Sequence, residues 1–145
     1  MPIPFIDLQA QRKRLGEPLE AAILEVVRSG AYVMGPQIGQ LEAALGAFGQ
    51  APHVLSCGSG TEALMLPLMA WGIGPGDAVF CPSFTFAATA EVVPLVGASP
   101  VFVDILPDTY NMDADHLDAA IAAVKAEGKL TPKAVIAVDL FGQPA

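Results

Sequence analysis

From residue 54 onward the sequence alternates short apolar runs with helical patterns, and this alternation restricts the fold more than any other feature. Four apolar runs read as strands, at 54–57, 78–81, 100–103 and 133–140. Three helical patterns separate them, near 61–71, 86–96 and 113–127. Strands that are joined by helical crossovers pair in parallel, and their helices cover both faces of the sheet. The sequence therefore predicts an α/β fold with a mostly parallel sheet.

The N-terminal third of the chain shows helical spacing without strands. Apolar residues recur at helical intervals between residues 8 and 29, and again from Ile38 to Phe48. Gly16 and Pro18 are expected to interrupt the first pattern, and Gly30 to end it. We predict an N-terminal helical segment over residues 1–50. Residues 51–145 then form the first half of a larger α/β domain, truncated at the C-terminus because no crossover helix follows the last strand.

Composition excludes several classes of partner. Seven basic and 15 acidic residues give a formal charge of −8, which disfavours binding to nucleic acid or to anionic membranes. Apolar runs are interrupted by proline and charge before they reach membrane-spanning length. The N-terminus lacks the pattern of a secretory signal. We therefore expect a soluble cytoplasmic protein.

The two cysteines and two histidines indicate no metal site. Cys57 and Cys81 each end a predicted buried strand, so we expect free thiols that pack in the core in a reducing compartment. His53 and His116 are far from each other and from the cysteines in sequence, without the spacing of metal ligands.

A Gly-Ser-Gly-Thr turn joins the first predicted strand to the first predicted helix, within Ser56–Leu64. Glycines let the backbone approach an anion, and the first N–H groups of a helix lack intrahelical partners and lie at its positive end. Ser59 and Thr61 add hydroxyl donors, so this turn is a candidate phosphate site. The alternative is an ordinary turn in which Ser59 or Thr61 serves only as an N-cap. The spacing matches neither the Walker nor the dinucleotide motif, which argues against a nucleoside triphosphate.

Ligands of parallel α/β sheets bind beyond the carboxyl ends of the strands. Three segments are expected to meet there. They are the Gly-Ser-Gly-Thr turn, the segment 82–86 with sequence Pro-Ser-Phe-Thr-Phe, and Asp104.

Motifs along the whole chain resemble the DegT/DnrJ/EryC1/StrS family of pyridoxal-phosphate (PLP) aminotransferases, which act on keto sugars. The segments that carry the resemblance are 5–8, 35–36, 56–64, 72–77, 82–90, 97–104 and 139–145. The resemblance implies the N-terminal half of the large domain of a fold-type I PLP-dependent transferase. It also implies a homodimer with active sites at the subunit interface.

The resemblance assigns cofactor-binding roles to four residues. Gly60 and Thr61 would hold the phosphate of PLP, Ser59 would belong to the same cradle, and Phe86 would stack on the pyridine ring. Without the resemblance, Phe86 reads more simply as a core phenylalanine.

The same resemblance assigns no catalytic residue to this chain. In the family, the lysine that binds PLP covalently and the carboxylate opposite the pyridine nitrogen lie beyond the position of Ala145. None of the chain's lysines matches that position. Asp104 and Asp139 end strands, but the resemblance gives neither the role of pyridine partner, and many family members have histidine in place of Asp139. We therefore expect these 145 residues to be inactive alone.

The leading functional hypothesis is the N-terminal part of a sugar aminotransferase. It would move an amino group from glutamate, through PLP, to a keto nucleotide-sugar for surface polysaccharide or lipopolysaccharide synthesis. One alternative is a PLP-dependent sugar dehydratase of the same family, in which histidine replaces the lysine. Another is a non-catalytic fragment that keeps only a phosphate-binding turn.

Overall fold

A computed structural model describes residues 5–145, and these residues form two compact units. The first unit ends at Ser56, and the second comprises Cys57–Ala145. Contacts between backbone positions define this division. The boundary between the helical segment and the α/β domain at residues 50 and 51 stays a prediction.

The first unit is helical, as the spacing of its apolar residues predicts. It contains α1 (Leu8–Leu15), α2 (Glu17–Ser29) and α3 (Pro36–Gly49). Gly16 separates α1 from α2 with a φ of 64°, and Gly30 ends α2 with a φ of 69°. Both values lie in the left-handed region that glycine adopts without steric cost. The predicted interruption near Gly16 and the predicted end at Gly30 are therefore confirmed.

The second unit contains a parallel sheet with helical crossovers, which confirms the predicted α/β class. Its elements are α4 (Gly60–Ala70), β1 (Asp77–Pro82), α5 (Ala88–Leu95), β2 (Ser99–Val103), α6 (Ala114–Glu127), β3 (Thr131–Val135) and a 3₁₀ turn (Leu140–Gly142). The strand order is β2-β1-β3, and β1 pairs in parallel with both neighbours. The middle strand β1 is the most buried element because it is covered on both faces and both edges.

Helices cover both faces of this sheet. On one face Val79 of β1 packs with residues of α4 and α5, including Leu68, Val92 and Val93. On the other face Phe80 packs against α6 and its neighbours. Adjacent residues of one strand thus serve two separate clusters because successive side chains point to opposite faces.

Residues 54–57, predicted as the first strand, form no strand among the residues described. A strand requires a hydrogen-bonded neighbour, and no described segment pairs with this run. The prediction for Cys57 is wrong for the same reason. Its thiol is exposed and not in the core, whereas Cys81, which lies in β1, is fully buried as predicted.

The last predicted strand is also shorter than its apolar run. β3 ends at Val135, and residues 136–139, which have no regular secondary structure, lead to the 3₁₀ turn at Leu140–Gly142. Across residues 5–145, no helix has the length and apolar content needed to cross a membrane.

Candidate functional site

The N-terminus of α4 is a capped turn with free donors. Ser59 is the N-cap residue, and its hydroxyl oxygen accepts a hydrogen bond from the Glu62 N–H at 3.2 Å. The Ser59 carbonyl accepts from the Ala63 N–H at 3.0 Å. The first two residues of the helix, Gly60 and Thr61, precede these donors. Their N–H groups donate to no group in the described part of the chain. The turn therefore combines an N-cap with two available donors. Its interpretation as a capped turn is compatible with its interpretation as a phosphate site.

Glu62 closes the other side of the turn. Its carboxylate accepts a hydrogen bond from the Gly58 N–H at 2.6 Å. A Cβ atom on Gly58 would lie 2.9 Å from Oε2 of Glu62, whereas a Cβ atom on Gly60 would meet nothing within 4 Å. A Cβ atom at position 58 would thus displace the Glu62 carboxylate, and the space beside Gly60 is open to a ligand.

A cavity of about 380 Å³ opens beside this turn. Gly60, Thr61 and Phe86 line it together, so three of the four predicted cofactor-binding residues face one space. Ser59 caps the helix next to it but is not part of the lining. Phe86 is 75% exposed, which excludes its interpretation as a core phenylalanine within this chain. An exposed aromatic face beside a cavity can stack on a flat ring.

Two threonines support the wall that carries Phe86. The hydroxyls of Thr85 and Thr89 are 2.9 Å apart and hydrogen-bonded, and both residues line the cavity. Thr89 is buried. This contact ties the loop after β1 to the first turn of α5, and it therefore fixes the segment on which Phe86 lies. In the sequence, only the spacing of four residues between the two threonines indicates this hydrogen bond.

A second wall comes from residues 138–141. The sequence marks 139–145 for the family resemblance but assigns none of these residues to the cavity. Phe141 has a φ of 58°, and its ring meets that of Tyr110 edge to face, with centroids 6.0 Å apart. Tyr110, with a φ of 62°, also contacts Phe84 at 5.6 Å. Left-handed backbone at bulky residues is uncommon. Phe141 and Tyr110 both adopt this backbone conformation, and both take part in the aromatic contacts.

Asn111 and Asp139 hold the same wall through hydrogen bonds. The Asn111 side-chain amide donates to the Pro144 carbonyl at 2.7 Å, while its own carbonyl oxygen is buried without a partner. The Asp139 carboxylate accepts from the Ala145 N–H at 2.8 Å. These contacts join positions 33 and 6 residues apart in the sequence, which explains why local patterns did not reveal the wall.

Asp104, the third segment predicted to meet at the cavity, is not part of its lining. Its carboxylate accepts from the adjacent Ile105 N–H at 2.8 Å, so it caps its own loop. Asp139, which follows β3, lines the cavity instead of Asp104. The lysines likewise stay outside the cavity.

The thiol of Cys81 does not take part in this site. Burial raises the pKa of Cys81, so the group stays a neutral thiol and a weak nucleophile at neutral pH.

A family model for the DegT/DnrJ/EryC1/StrS aminotransferase family matches residues 13–145. The chain belongs to this family. The resemblance that the sequence motifs indicated is thereby confirmed.

Relatives and solved structures agree with the family assignment. The chain is 48% identical over 145 residues to the UDP-2-acetamido-2-deoxy-3-oxo-D-glucuronate aminotransferase of Pseudomonas aeruginosa, covering 99% of this chain and 38% of that protein. A crystal structure of a DegT/DnrJ/EryC1/StrS aminotransferase from Brucella abortus is 58% identical, with a TM-score of 0.96 over 99% of this chain and 39% of that one. The PLP form of the putative sugar aminotransferase Spr1654 from Streptococcus pneumoniae is 37% identical, with a TM-score of 0.77 over 85% of this chain and 30% of that one.

These DegT/DnrJ/EryC1/StrS relatives are longer than the chain. The chain spans less than two fifths of the length of the curated relatives it matches. Its similarity to solved aminotransferases confirms that its α/β unit is the N-terminal part of the fold of these PLP-dependent enzymes.

Proposed function

We propose that this chain forms the cofactor-phosphate end of the active site of a PLP-dependent nucleotide-sugar aminotransferase. The observation that carries the proposal is the shared cavity of Gly60, Thr61 and Phe86, in a chain that belongs to a family of aminotransferases. Free N–H donors and an exposed aromatic face lie in one cavity, and PLP offers a phosphate and a flat ring.

The donor set fits a phosphate group. The N–H groups of Gly60 and Thr61 lie at the positive end of α4, where a dianion is stabilised by the helix dipole and by hydrogen bonds. The Thr61 hydroxyl supplies a third donor. Ser59 contributes indirectly, because its side chain caps the helix and leaves these donors unoccupied.

Phe86 fits the flat ring. Its exposed side chain gains dispersion contacts when an aromatic ring lies against it, and those contacts restrict the orientation of that ring. The Thr85–Thr89 contact keeps the segment of Phe86 in place before any ligand binds. When bound, PLP would supply the electron sink that lets an amino group move between an amino acid and a keto sugar.

The substrate class follows from the relatives. The Pseudomonas aeruginosa protein is named for a 3-oxo UDP-sugar acid, so we propose a keto nucleotide-sugar as the acceptor and glutamate as the donor. We further propose a homodimer in the cytoplasm that serves surface polysaccharide or lipopolysaccharide synthesis. The lysine and the carboxylate of the reaction would come from outside these 145 residues.

The test is to titrate the protein isolated from its native source with PLP, and to assay transfer from glutamate to a 3-keto UDP-sugar acid. We expect a visible absorption band that borohydride removes, and release of more than one equivalent of 2-oxoglutarate per active site only when the sugar is present. Pyridoxamine phosphate without a sugar serves as the blank. Absence of the band would overturn the aminotransferase assignment, because an enzyme with histidine in place of the lysine forms no such band. A band without amino transfer would overturn the aminotransferase assignment.

A further inference from the structure

We propose that Glu62 is a positioning residue for the cofactor phosphate, an inference that rests on the proposed function. Its carboxylate holds the N–H of Gly58 at 2.6 Å, and its backbone N–H is held by the Ser59 hydroxyl at 3.2 Å. One residue thus fixes both ends of the short loop that precedes the two free donors. In this arrangement, the segment that carries the free Gly60 and Thr61 N–H groups is held in place before phosphate arrives.

The contact with Gly58 differs from an ordinary capping box. In a capping box the glutamate three residues into the helix accepts from the N–H of the N-cap residue. Here it accepts from Gly58, one residue before the N-cap Ser59. The carboxylate therefore engages the Gly58 N–H and leaves the Gly60 and Thr61 N–H groups available.

The charge of Glu62 acts against this benefit. A carboxylate beside a dianionic phosphate raises the free energy of the bound state, even in a solvent-exposed turn. A residue retained only for charge would be lysine or arginine at this position. The hydrogen bond and the charge therefore have opposite effects on phosphate affinity, and two substitutions can separate them.

Glu62→Gln keeps an acceptor for the Gly58 N–H and removes the charge, whereas Glu62→Ala removes both. We expect Glu62→Gln to bind PLP about two- to fivefold more tightly than the unsubstituted protein, because one repulsive charge is lost. We expect Glu62→Ala to bind about 3- to 10-fold more weakly than Glu62→Gln, the equivalent of one hydrogen bond.

The measurement is the dissociation constant of PLP and of pyridoxal, which lacks the phosphate, for the full-length protein from its source and its variants. A general loss of structure weakens both ligands equally. A change confined to the phosphate site alters the ratio of the two constants. Inorganic phosphate, added as a competitor, reports the same site without the ring.

Gly58→Ala provides a second variant, which perturbs the same contact from the side of the glycine. Its Cβ atom would lie 2.9 Å from Oε2 of Glu62 and displace that flexible carboxylate. We expect Gly58→Ala to change the PLP-to-pyridoxal ratio, and to have a smaller effect when Glu62 is already alanine, since contacting residues are not additive.

Equal PLP affinities of the Glu62→Ala and Glu62→Gln variants, or effects of Gly58→Ala that are additive with Glu62→Ala, would overturn the role of Glu62. Weaker PLP binding by Glu62→Gln than by the unsubstituted protein would overturn the assigned effect of its charge. If the unsubstituted protein binds PLP no better than pyridoxal, the phosphate site itself is wrong, and the proposed function fails with it.

Discussion

The two units of the chain differ in how they are stabilised. The three helices of the first unit bury no side chain, and apolar residues such as Ile23 and Leu45 remain about half exposed. Every core side chain in residues 5–145 belongs to the second unit, between Leu68 and Val103. Helices need only local hydrogen bonds and caps, whereas a core needs side chains brought together from distant segments.

Local contacts carry the first unit. Asp7 caps α1 by accepting from the Ala10 N–H at 2.9 Å, and Arg12 pairs with Glu20. Glu42 accepts from both the N–H and the hydroxyl of Ser56, each at 2.8 Å. Such exposed contacts each contribute little to stability. We therefore predict that the second unit has the larger free energy of unfolding. The stability of the first unit should depend on solution conditions such as pH.

The largest effect is expected from Phe80→Ala in the core of the second unit. Phe80 is 1% exposed and packs against α6, so its truncation should lower the free energy of unfolding by about 3–5 kcal/mol. The matched change in the first unit, Ile23→Ala, removes a side chain that is 54% exposed and should cost less than about 0.5 kcal/mol. Urea unfolding with an unchanged m-value measures both. Similar losses for the two variants would show that our comparison is wrong.

A smaller loss is expected where the second unit relies on one polar contact between residues that are distant in sequence. Asn111→Asp would place a carboxylate oxygen against the Pro144 carbonyl, in place of the amide that donates at 2.7 Å. This should cost about 0.5–1.5 kcal/mol, the net range for one hydrogen bond. Amide hydrogen exchange of residues 141–145 should become faster. Asp118→Asn, on an exposed position of α6, is the control, and an equal change in both variants would contradict the role of Asn111.

Phe86→Ala should separate stability from binding within the second unit. The side chain is 75% exposed, so the free energy of unfolding should stay nearly unchanged, while PLP affinity should fall by about 0.5–1.5 kcal/mol. Phe102→Ala, at 60% exposure and outside the cavity lining, should leave affinity unchanged. Fluorescence titration with PLP measures both variants. If both lose affinity equally, stacking by Phe86 is not the cause.

The smallest effect concerns pH and the first unit. Hydrogen bonds from the backbone and the side chain of Ser56 hold the pKa of Glu42 below its ordinary value of 4.5. A lowered folded-state pKa contributes stability above the unfolded value, and this contribution is lost as pH falls through the folded value. The Ser56 amide resonance should therefore shift as the solution is acidified below pH 4.5.

Ser56→Ala is the matched variant for this titration. It removes the hydroxyl and leaves the backbone N–H, so the pKa of Glu42 should rise only part of the way toward its ordinary value. An unchanged pKa in the variant would mean that the hydroxyl contact does not form in solution.

The sequence predicted the elements well where the signals were local. Gly16 and Gly30 set helix ends, as expected, and Asp113 caps α6 by accepting from the Asp115 and His116 N–H groups. Pro67 lies inside α4, which continues through it to Ala70. A proline removes one donor and does not prevent helical backbone on both sides.

The candidate site was only half visible in the sequence. The glycine-rich turn and the aromatic segment after β1 carry compositional signals, and Gly60, Thr61 and Phe86 meet in one cavity as expected for their proposed roles. The wall formed by residues 138–141 carried no such signal. Its position depends on contacts with Tyr110 and Asn111, and no spacing rule relates these residues.

The sequence by itself determined the helix ends, the parallel α/β class and the family, because each depends on residues close in the chain or on motifs in fixed order. Only the tertiary structure decided which apolar runs are buried. Cys57 and Cys81 follow similar runs, yet one thiol is exposed and the other lies in the middle strand. Burial depends on neighbours that the strand pairs with, and pairing joins residues whose separation in sequence leaves no local trace.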